Sequence, residues 1–284
     1  MKVLVLGVSG MLGNAVFKVL TDRYETWGSL RSSAALSYFT NEQQGRIISG
    51  VDVLEHDQMV ELLSRVRPDV IVNCVGLVKQ LSSVDDPLVA LPVNALFPHR
   101  LARLADLIGA RVIQIGTDCV FSGSKGMYCE SDVSDAYDLY GKSKYIGELH
   151  DYLHCVTLRT SIIGHELNSN HSLIDWFLSQ EGEVKGFSKA IFSGLPTAEL
   201  ARVIAEYVIP NSSLNGLYHV SAEPINKYHL LKLVAEVYEK NISIIPDDKL
   251  KIDRSLDSSR FRDITGYQPP EWADLIRYMH TMRE

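Results

Sequence analysis

Short, mainly apolar runs recur along this chain, and most are followed by stretches with helical spacing. The first run, Lys2-Val-Leu-Val-Leu6, has no polar face, as expected of a central parallel strand covered on both sides. Residues 24–29, 46–50, 68–76, 112–115 and 156–160 read as five further strands. Between them lie helical patterns: Ala15, Val16, Val19 and Leu20; residues 56–66; a long helix over 87–108 with Val93, Leu96, Leu101, Leu104 and Leu107 on its apolar side; and a helix from Tyr140 to about His150. Six strands separated by helices, without an internal repeat, predict an α/β fold: a doubly wound parallel (Rossmann) sheet.

After Ile163 the pattern changes. Residues 165–171 form a polar loop, and 173–178 a short helix with Trp176 and Phe177 in the core. Residues 187–192 read as irregular. Pro196-Thr197 opens a helix reaching Val208. Residues 216–220 supply one more sheet strand, and 226–239 an amphipathic helix with Leu230, Leu233, Val234 and Val237 inward. A small strand at 242–245 and helices at 257–264 and 271–282 close the chain. The expected division is interleaved: residues 1–163 with about 196–222 in the doubly wound domain, and about 164–195 and 223–284 in a smaller α/β region.

Composition narrows the classes. With 46% hydrophobic and 22% charged residues in 284, the chain is of soluble globular type and long enough for a sizeable core. The net charge of −7 and the absence of a basic block exclude a nucleic-acid footprint. An anionic ligand therefore requires positive charge gathered locally. Cys74, Cys119, Cys129 and Cys155 show no C-x-x-C spacing, so reduced thiols in a cytoplasmic protein are expected, and no metal site. The N-terminal run reads as a strand rather than a signal peptide, and no apolar run approaches the ~18 residues of a membrane span.

Candidate chemistry begins at Gly7-Val-Ser9-Gly10-Met11-Leu12-Gly13, directly after the first strand and opening a helix. Strand, glycine turn and helix make a dinucleotide site: the glycines let the backbone approach a pyrophosphate, and the helix N-terminus offers free N–H groups. At the end of strand two, where NAD sites place an acid, stand Arg31 and Ser32, which suit a 2′-phosphate. NADPH is thus the expected cofactor, with NADH the alternative. Asp52, followed by Val53, either takes an adenine amino group or serves as a turn or N-cap residue. The end of strand four, Asn73-Cys74-Val75-Gly76, should pass under the cofactor. Lys79 beyond it is either a solvated lysine or a phosphate contact. Asn94, inside the long helix, needs partners: backbone groups, or a water in a proton relay towards Lys144.

Tyr140 and Lys144 are one helical turn apart and share a face. A neighbouring ammonium favours a phenolate, so Lys144 is expected to lower the pKa of Tyr140 and fit it for acid–base work. Thr117 sits just past a strand's carboxyl end, where open parallel sheets bind ligands.

Taken together, Gly7-x-x-Gly10-x-x-Gly13, residues 73–76, Val93-Asn94-Ala95, Thr117-Asp-x-Val-Phe121, Tyr140-x-x-x-Lys144, Arg159-Thr-Ser161, Pro196-Thr197 and Leu256-Asp-Ser-Ser-Arg-Phe261 resemble the extended short-chain dehydrogenase/reductase superfamily, closest to its dTDP-4-dehydrorhamnose reductase family. The resemblance runs along essentially the whole chain. It implies hydride transfer from a nicotinamide to the C4 ketone of a nucleotide-linked 4-keto-6-deoxy sugar, in a pathway making rhamnose-like sugars for surface polysaccharide. In that scheme Tyr140 is the proton donor, Lys144 binds the nicotinamide ribose, Thr117 bonds the C4 oxygen, Asp118 touches the sugar and Asn94 serves the relay. Cys119 stands where the 4,6-dehydratases of the superfamily carry Glu, which favours reduction over elimination. Ile162 stands where the reductases commonly carry a Trp beside the sugar, so the identity of the sugar and of its nucleotide, dTDP or UDP, is not carried over. A homodimer is compatible with the resemblance, though no interface helix stands out. Two alternatives compete: a non-catalytic nucleotide-binding regulatory partner, and a nucleotide-sugar epimerase with tightly held NAD.

Overall fold

The computed structural model describes the chain from Met1 to Arg283 apart from Val78, Gln80, Leu81, Asn168, Ser169 and His171, so part of the polar loop expected at 165–171 lies outside the described residues. Seven parallel strands make the main sheet: β1 (Lys2–Leu6), β2 (Glu25–Leu30), β3 (Ile47–Ser49), β4 (Val70–Asn73), β5 (Arg111–Ile115), β6 (Cys155–Arg159) and the late strand Gly216–His219. Their order across the sheet is β3-β2-β1-β4-β5-β6 and then Gly216–His219. This is the doubly wound Rossmann order, and the direction of winding reverses between β1 and β4.

The apolar character of β1 has a direct cause. Val3 and Val5 point into one cluster with Val16, Phe17 and Leu20 of α1 (Met11–Thr21) and Leu200, Val203 and Ile204 of the helix that starts at Thr197. Leu4 and Leu6 point into a second cluster with Met59, Leu62, Leu63, Phe97 and Leu101. Alternate residues meet opposite layers, so neither set can be polar. The first cluster continues into Leu230, Val234, Phe261, Trp272 and Ile276, so the smaller region shares its core with the sheet.

The long helix is not uniform. It runs as α-helix over Pro87–Ala90, as π-helix over Leu91–Leu96, and as α-helix again over Phe97–Leu107. The expected inward placing of Leu96 and Leu107 fails: both are exposed, and the buried face is Phe97, Pro98, Leu101, Ala102 and Ala105. The wide π turn adds a residue and rotates the downstream face, and the two alanines let the helix lie close. The Tyr140 helix is also shorter than expected, Leu139–Ile146, ending at Gly147.

In the smaller region, residues 187–192 are not irregular. Glu183–Phe187 pairs in parallel with Ser243–Asp247, and Ala190–Phe192 lies between Ile225–Asn226 and Ile252–Asp253. Partners so distant in sequence leave no local signature on such short strands. Trp176 is 38% exposed rather than core, because the seven-residue helix Leu173–Ser179 buries only Ile174 and Phe177, three apart on one side.

Candidate functional site

All seven strands point the same way, so their carboxyl ends share one edge: Leu6 of β1 is in register with Ser29 of β2 and Asn73 of β4. In doubly wound sheets ligands bind at that edge, where the winding reverses, here between β1 and β4. At Gly7 the chain leaves β1 with φ +81°, and the N–H groups of Gly7 and Val8 both donate to the Ser29 carbonyl (3.0 and 3.1 Å). The N–H of Gly10 then donates to the Gly7 carbonyl at 3.0 Å and opens α1.

The glycines of this turn have different jobs. A Cβ on Gly13 would lie 2.1 Å from the Gly7 carbonyl oxygen, so Gly13 lets helix and turn touch. A Cβ on Gly10 would meet only that same oxygen at 3.4 Å and otherwise face open space. The N-terminus of α1 has no side-chain cap and no acid in its first turn. The N–H groups of Met11, Leu12 and Gly13 precede any helical acceptor, and with the positive end of the dipole they suit a phosphate. Ser9 and Met11 are partly exposed beside them, whereas the Leu12 side chain is buried, leaving its backbone for contact. The amide nitrogen of Asn14, 8% exposed, has no hydrogen-bond partner among the described residues. The glycine spacing gave no hint of it.

Arg31 and Ser32 are exposed directly after β2, on the same edge. Asp52 accepts the Leu54 N–H at 3.0 Å, the turn arrangement of its two readings, with Val53 half-buried next to it. At the end of β4, Asn73 donates to Gln114 (2.7 Å) and accepts from the Val75 N–H (3.1 Å), which fixes the course of Cys74 and Val75 towards Gly76. A Cβ on Gly76 would sit 3.4 Å from Asn94 Oδ1 and 3.5 Å from Lys144 Nζ. The backbone of β4 thus comes within reach of both residues.

Asn94 lies in the π segment. Its Oδ1 accepts the Leu77 N–H at 2.9 Å, and its Nδ2 donates to Ser143 Oγ at 3.2 Å. Ser143, which the sequence did not single out, donates in turn to the Tyr140 carbonyl at 2.9 Å. Asn94 is therefore satisfied by one backbone group and one side chain. Its own carbonyl has no N–H four residues on, since that residue is Pro98, and a Cβ on Gly147 would lie 2.0 Å from it. The end of the Tyr140 helix is thereby pressed onto the π turn.

The other end of that helix is pressed onto the Thr117 turn. Asp138 caps it by accepting the Gly141 N–H at 2.8 Å, and a Cβ on Gly141 would lie 2.3 Å from the Cys119 carbonyl oxygen. Thr117 caps the next turn, accepting the Cys119 N–H at 3.2 Å. Thr117 shares this corner with Tyr140, its hydroxyl near enough to the phenol to oppose the effect of burial on it. Lys144, 9% exposed, donates to the Ile115 carbonyl at 2.9 Å. Thr117, Tyr140, Lys144 and Asn94 are thus brought together where β4 and β5 end.

The electrostatics differ from expectation at one point. Burial pushes the Tyr140 phenol above its usual range, with Cys119, Asp118 and Asp138 adding to it and the Thr117 hydroxyl opposing. Burial thus outweighs the influences that lower the Tyr140 pKa, while Lys144 is engaged by the Ile115 carbonyl. Burial also pushes Lys144 down to about 8, with Glu148 and Cys74 opposing. The Cys74 thiol is itself pushed up to about 12 by burial.

Beyond Tyr140 lies a group of cations. Asp118 is buried, and burial raises its carboxyl, opposed first by Arg254 and then by hydrogen bonds from Cys119, Thr117 and Ser161. Arg254 donates to the Phe121 carbonyl at 2.8 Å and reaches Cys119 Sγ at 3.8 Å. Lys227 begins the helix Lys227–Val237, and burial lowers its pKa against the pull of Asp118 and Cys119. Lys79 is bound to Asp138 at 2.5 Å and is felt by Cys119. Here positive charge is gathered locally in a chain of net charge −7.

Lys227 and Arg254 escaped the sequence reading because nothing near them in the chain marks them. Arg254 is delivered by a weld between two loops: Asp253 N–H to Gly123 carbonyl, Tyr128 N–H to Ser255 carbonyl and Asp257 N–H to Tyr128 carbonyl. Ile162 is half-buried in a two-residue pairing with Leu195. Among the described residues no group of three or more His, Cys, Asp or Glu is placed to hold a metal, and no helix is long and apolar enough to cross a membrane.

The RmlD substrate binding domain family matches residues 1–281. The β subunit of methionine adenosyltransferase 2 from Rattus norvegicus is 27% identical over 96% of this chain and 80% of its own length. The dTDP-4-dehydrorhamnose reductase of Aggregatibacter actinomycetemcomitans is 23% identical over 100% of this chain and 99% of its own. Among solved structures, dTDP-4-dehydrorhamnose reductase from Bacillus anthracis in complex with NADP superposes with a TM-score of 0.81 at 21% identity, covering 100% of this chain and 99% of that one. A UDP-N-acetylglucosamine 4-epimerase from Methanobrevibacter ruminantium gives 0.80 at 19%, covering 99% and 97%. The fold is thus shared by proteins of different named activities.

Proposed function

The chain belongs to the RmlD substrate binding domain family, with an extended short-chain dehydrogenase/reductase fold, and on that premise we propose that it is an NAD(P)H-dependent reductase of the C4 ketone of a nucleotide-linked 4-keto-6-deoxy sugar. The observation that carries this reading is the convergence of Thr117, Tyr140 and Lys144 at the carboxyl ends of β4 and β5, next to the glycine turn.

The open face of Gly10, the uncapped N-terminus of α1 and the unpartnered Asn14 amide fit a dinucleotide. The bound nicotinamide supplies a hydride. The residues do the rest. Met11, Leu12 and Gly13 offer N–H groups to the pyrophosphate, and Arg31 and Ser32 receive a 2′-phosphate. Residues 74–76 and Val53 line the cofactor, and Lys144 holds the nicotinamide ribose. Burial keeps the Tyr140 phenol protonated at neutral pH, the form that can give a proton to the C4 oxygen as it gains negative charge. Thr117 orients that oxygen. One hydride and one proton convert the ketone to a secondary alcohol. Lys227, Arg254 and Lys79 offset the charge of a nucleotide diphosphate, and the stretches 164–195 and 223–284 serve as the substrate-binding region.

A second reading, a non-catalytic nucleotide-binding regulatory partner, is favoured by the 27% identity to the methionine adenosyltransferase subunit. The two are separated by following NADPH oxidation with dTDP-4-keto-6-deoxy-L-mannose and with a UDP-4-keto-6-deoxy-N-acetylhexosamine. The reductase oxidises NADPH with one of them, and Tyr140→Phe lowers turnover about 10²- to 10⁴-fold while NADPH still binds. Silence with both sugars despite NADPH binding favours the regulatory partner. Turnover of the wild-type kind in Tyr140→Phe removes Tyr140 as proton donor.

A further inference from the structure

Behind the cleft lies a buried ion pair that the reaction above does not use. Glu148 and Arg159 have side chains only 1% and 2% exposed. Arg159 donates from Nε and Nη2 to the two carboxylate oxygens at 2.6 and 2.7 Å. Its remaining nitrogen donates to His219 Nε2 at 3.3 Å, and His219 Nδ1 donates to the Tyr128 carbonyl at 2.9 Å. The Phe121 ring centroid is 5.2 Å from the guanidinium carbon. Such a pair is weak evidence for stability, because desolvation offsets its attraction and an apolar pair of similar size can pack as well.

Its position suggests another reason for it. Glu148 follows Lys144 by four residues, just past the Gly147 cap of the Tyr140 helix. Gly147 is pressed against the carbonyl of Asn94. Arg159 ends β6, the neighbour of β5, and β5 presents the Ile115 carbonyl to Lys144. One ion pair therefore joins the helix end that carries Lys144 to the strands beneath its ammonium group.

We propose that Glu148, clamped by Arg159, is a positioning residue for Lys144: it sets the ammonium over the Ile115 carbonyl and keeps it charged in a buried site. The use of that charge in catalysis rests on the reductase reading, but the place and charge of Lys144 belong to the chain alone. Several groups face Lys144: Ile115 from β5, Cys74 from the end of β4, Asn94 from the π turn, Tyr140 one turn earlier, and Glu148. The Cys74 thiol, held up at about 12, stays neutral. Burial holds His219, beyond Arg159, down at about 4, so it is neutral too. Glu148 is the largest opponent of burial at Lys144. Its loss removes a raising influence, so the sign of the expected change is downward.

The test follows the ε-carbon of Lys144 by NMR against pH in protein labelled with ¹³C-lysine, the resonance assigned with Lys144→Met. Wild type should titrate at about 8. In Glu148→Gln the midpoint should fall by about one pH unit or more. The double variant Glu148→Gln/Arg159→Met removes both charges of the pair together, and its midpoint should fall by less. If the single variant does not fold, the double variant decides. A midpoint unchanged from wild type in every variant that folds would make the pair a strut of the fold and overturn the proposal. Neither cofactor nor sugar enters the measurement, so its failure leaves the reductase reading standing, and a lack of turnover leaves this result standing.

Discussion

The turn after β1 carries no charged side chain, whereas the turn after β5 is ringed by them. At the first, Gly7 to Gly13 offer an anion only backbone N–H groups and a helix dipole. At the second, Asp118 lies under the influence of Arg254, with Lys227 and Lys79 close by. The first device is local: one strand, one turn and one helix suffice, and sequence neighbours build it. The second is assembled from residues more than a hundred positions apart, and only the folded chain brings them together. A backbone site is limited by space, so its weak points are Cβ atoms. A side-chain site is limited by charge, so its weak points are single cations. The two ends should therefore fail differently when mutated.

Two substitutions at the backbone end should give the largest effects, and they should differ. In Gly13→Ala the new Cβ collides with the Gly7 carbonyl at 2.1 Å, and neither backbone can yield cheaply. The fold should lose about 3 kcal/mol or more, seen in denaturant unfolding of the cofactor-free protein. In Gly10→Ala the contact is 3.4 Å, so stability should hardly change. NADPH affinity should nevertheless fall about 100-fold, because the methyl group fills the space a pyrophosphate would enter. Equal losses of stability in the two variants would break the assignment of distinct roles to these glycines.

This contrast also explains what was legible in the sequence. The glycine turn and α1 were readable because residues within about twenty positions set them, and β1 because burial on both faces leaves it an unbroken apolar run. Tyr140 and Lys144 were readable as a pair because helix geometry fixes their spacing. The contact of Lys144 with the Ile115 carbonyl, 29 residues away, and the hold of burial on its charge were not. The strands at Glu183–Phe187 and Ala190–Phe192 were missed for the same reason as Arg254: their partners lie in the last quarter of the chain. The π turn around Asn94 was missed because an unbroken helical period runs through residues 87–108 and conceals the extra residue.

The cationic end should respond more mildly and in a different parameter. Arg254→Gln and Lys227→Met should each raise KM for the nucleotide sugar about tenfold, the usual scale of one charged hydrogen bond, and leave NADPH affinity unchanged. Arg254→Gln also removes the largest influence opposing burial at Asp118, so the Asp118 carboxyl should titrate at higher pH and the acid limb of activity should move up with it. Because both cations act on Asp118, the double variant should cost less than the product of the two. A change in kcat alone, with KM unaltered, would move these cations from binding to the chemical step.

The smallest effect is expected where the two devices meet, at Arg31. It is exposed on the backbone-built side of the cleft, yet it is a single charge. If Arg31 reads a 2′-phosphate, Arg31→Ala should weaken NADPH about three- to fivefold and leave NADH untouched, as judged by fluorescence titration of both. The loss should shrink as salt is raised, because an exposed charge is screened over about 10 Å at 0.1 M. Stability should stay within about 0.5 kcal/mol, since no buried contact is lost. Equal weakening of NADPH and NADH would show that Arg31 orders the loop after β2 rather than reading the phosphate. Cofactor choice would then rest on backbone shape there, as the rest of that turn does.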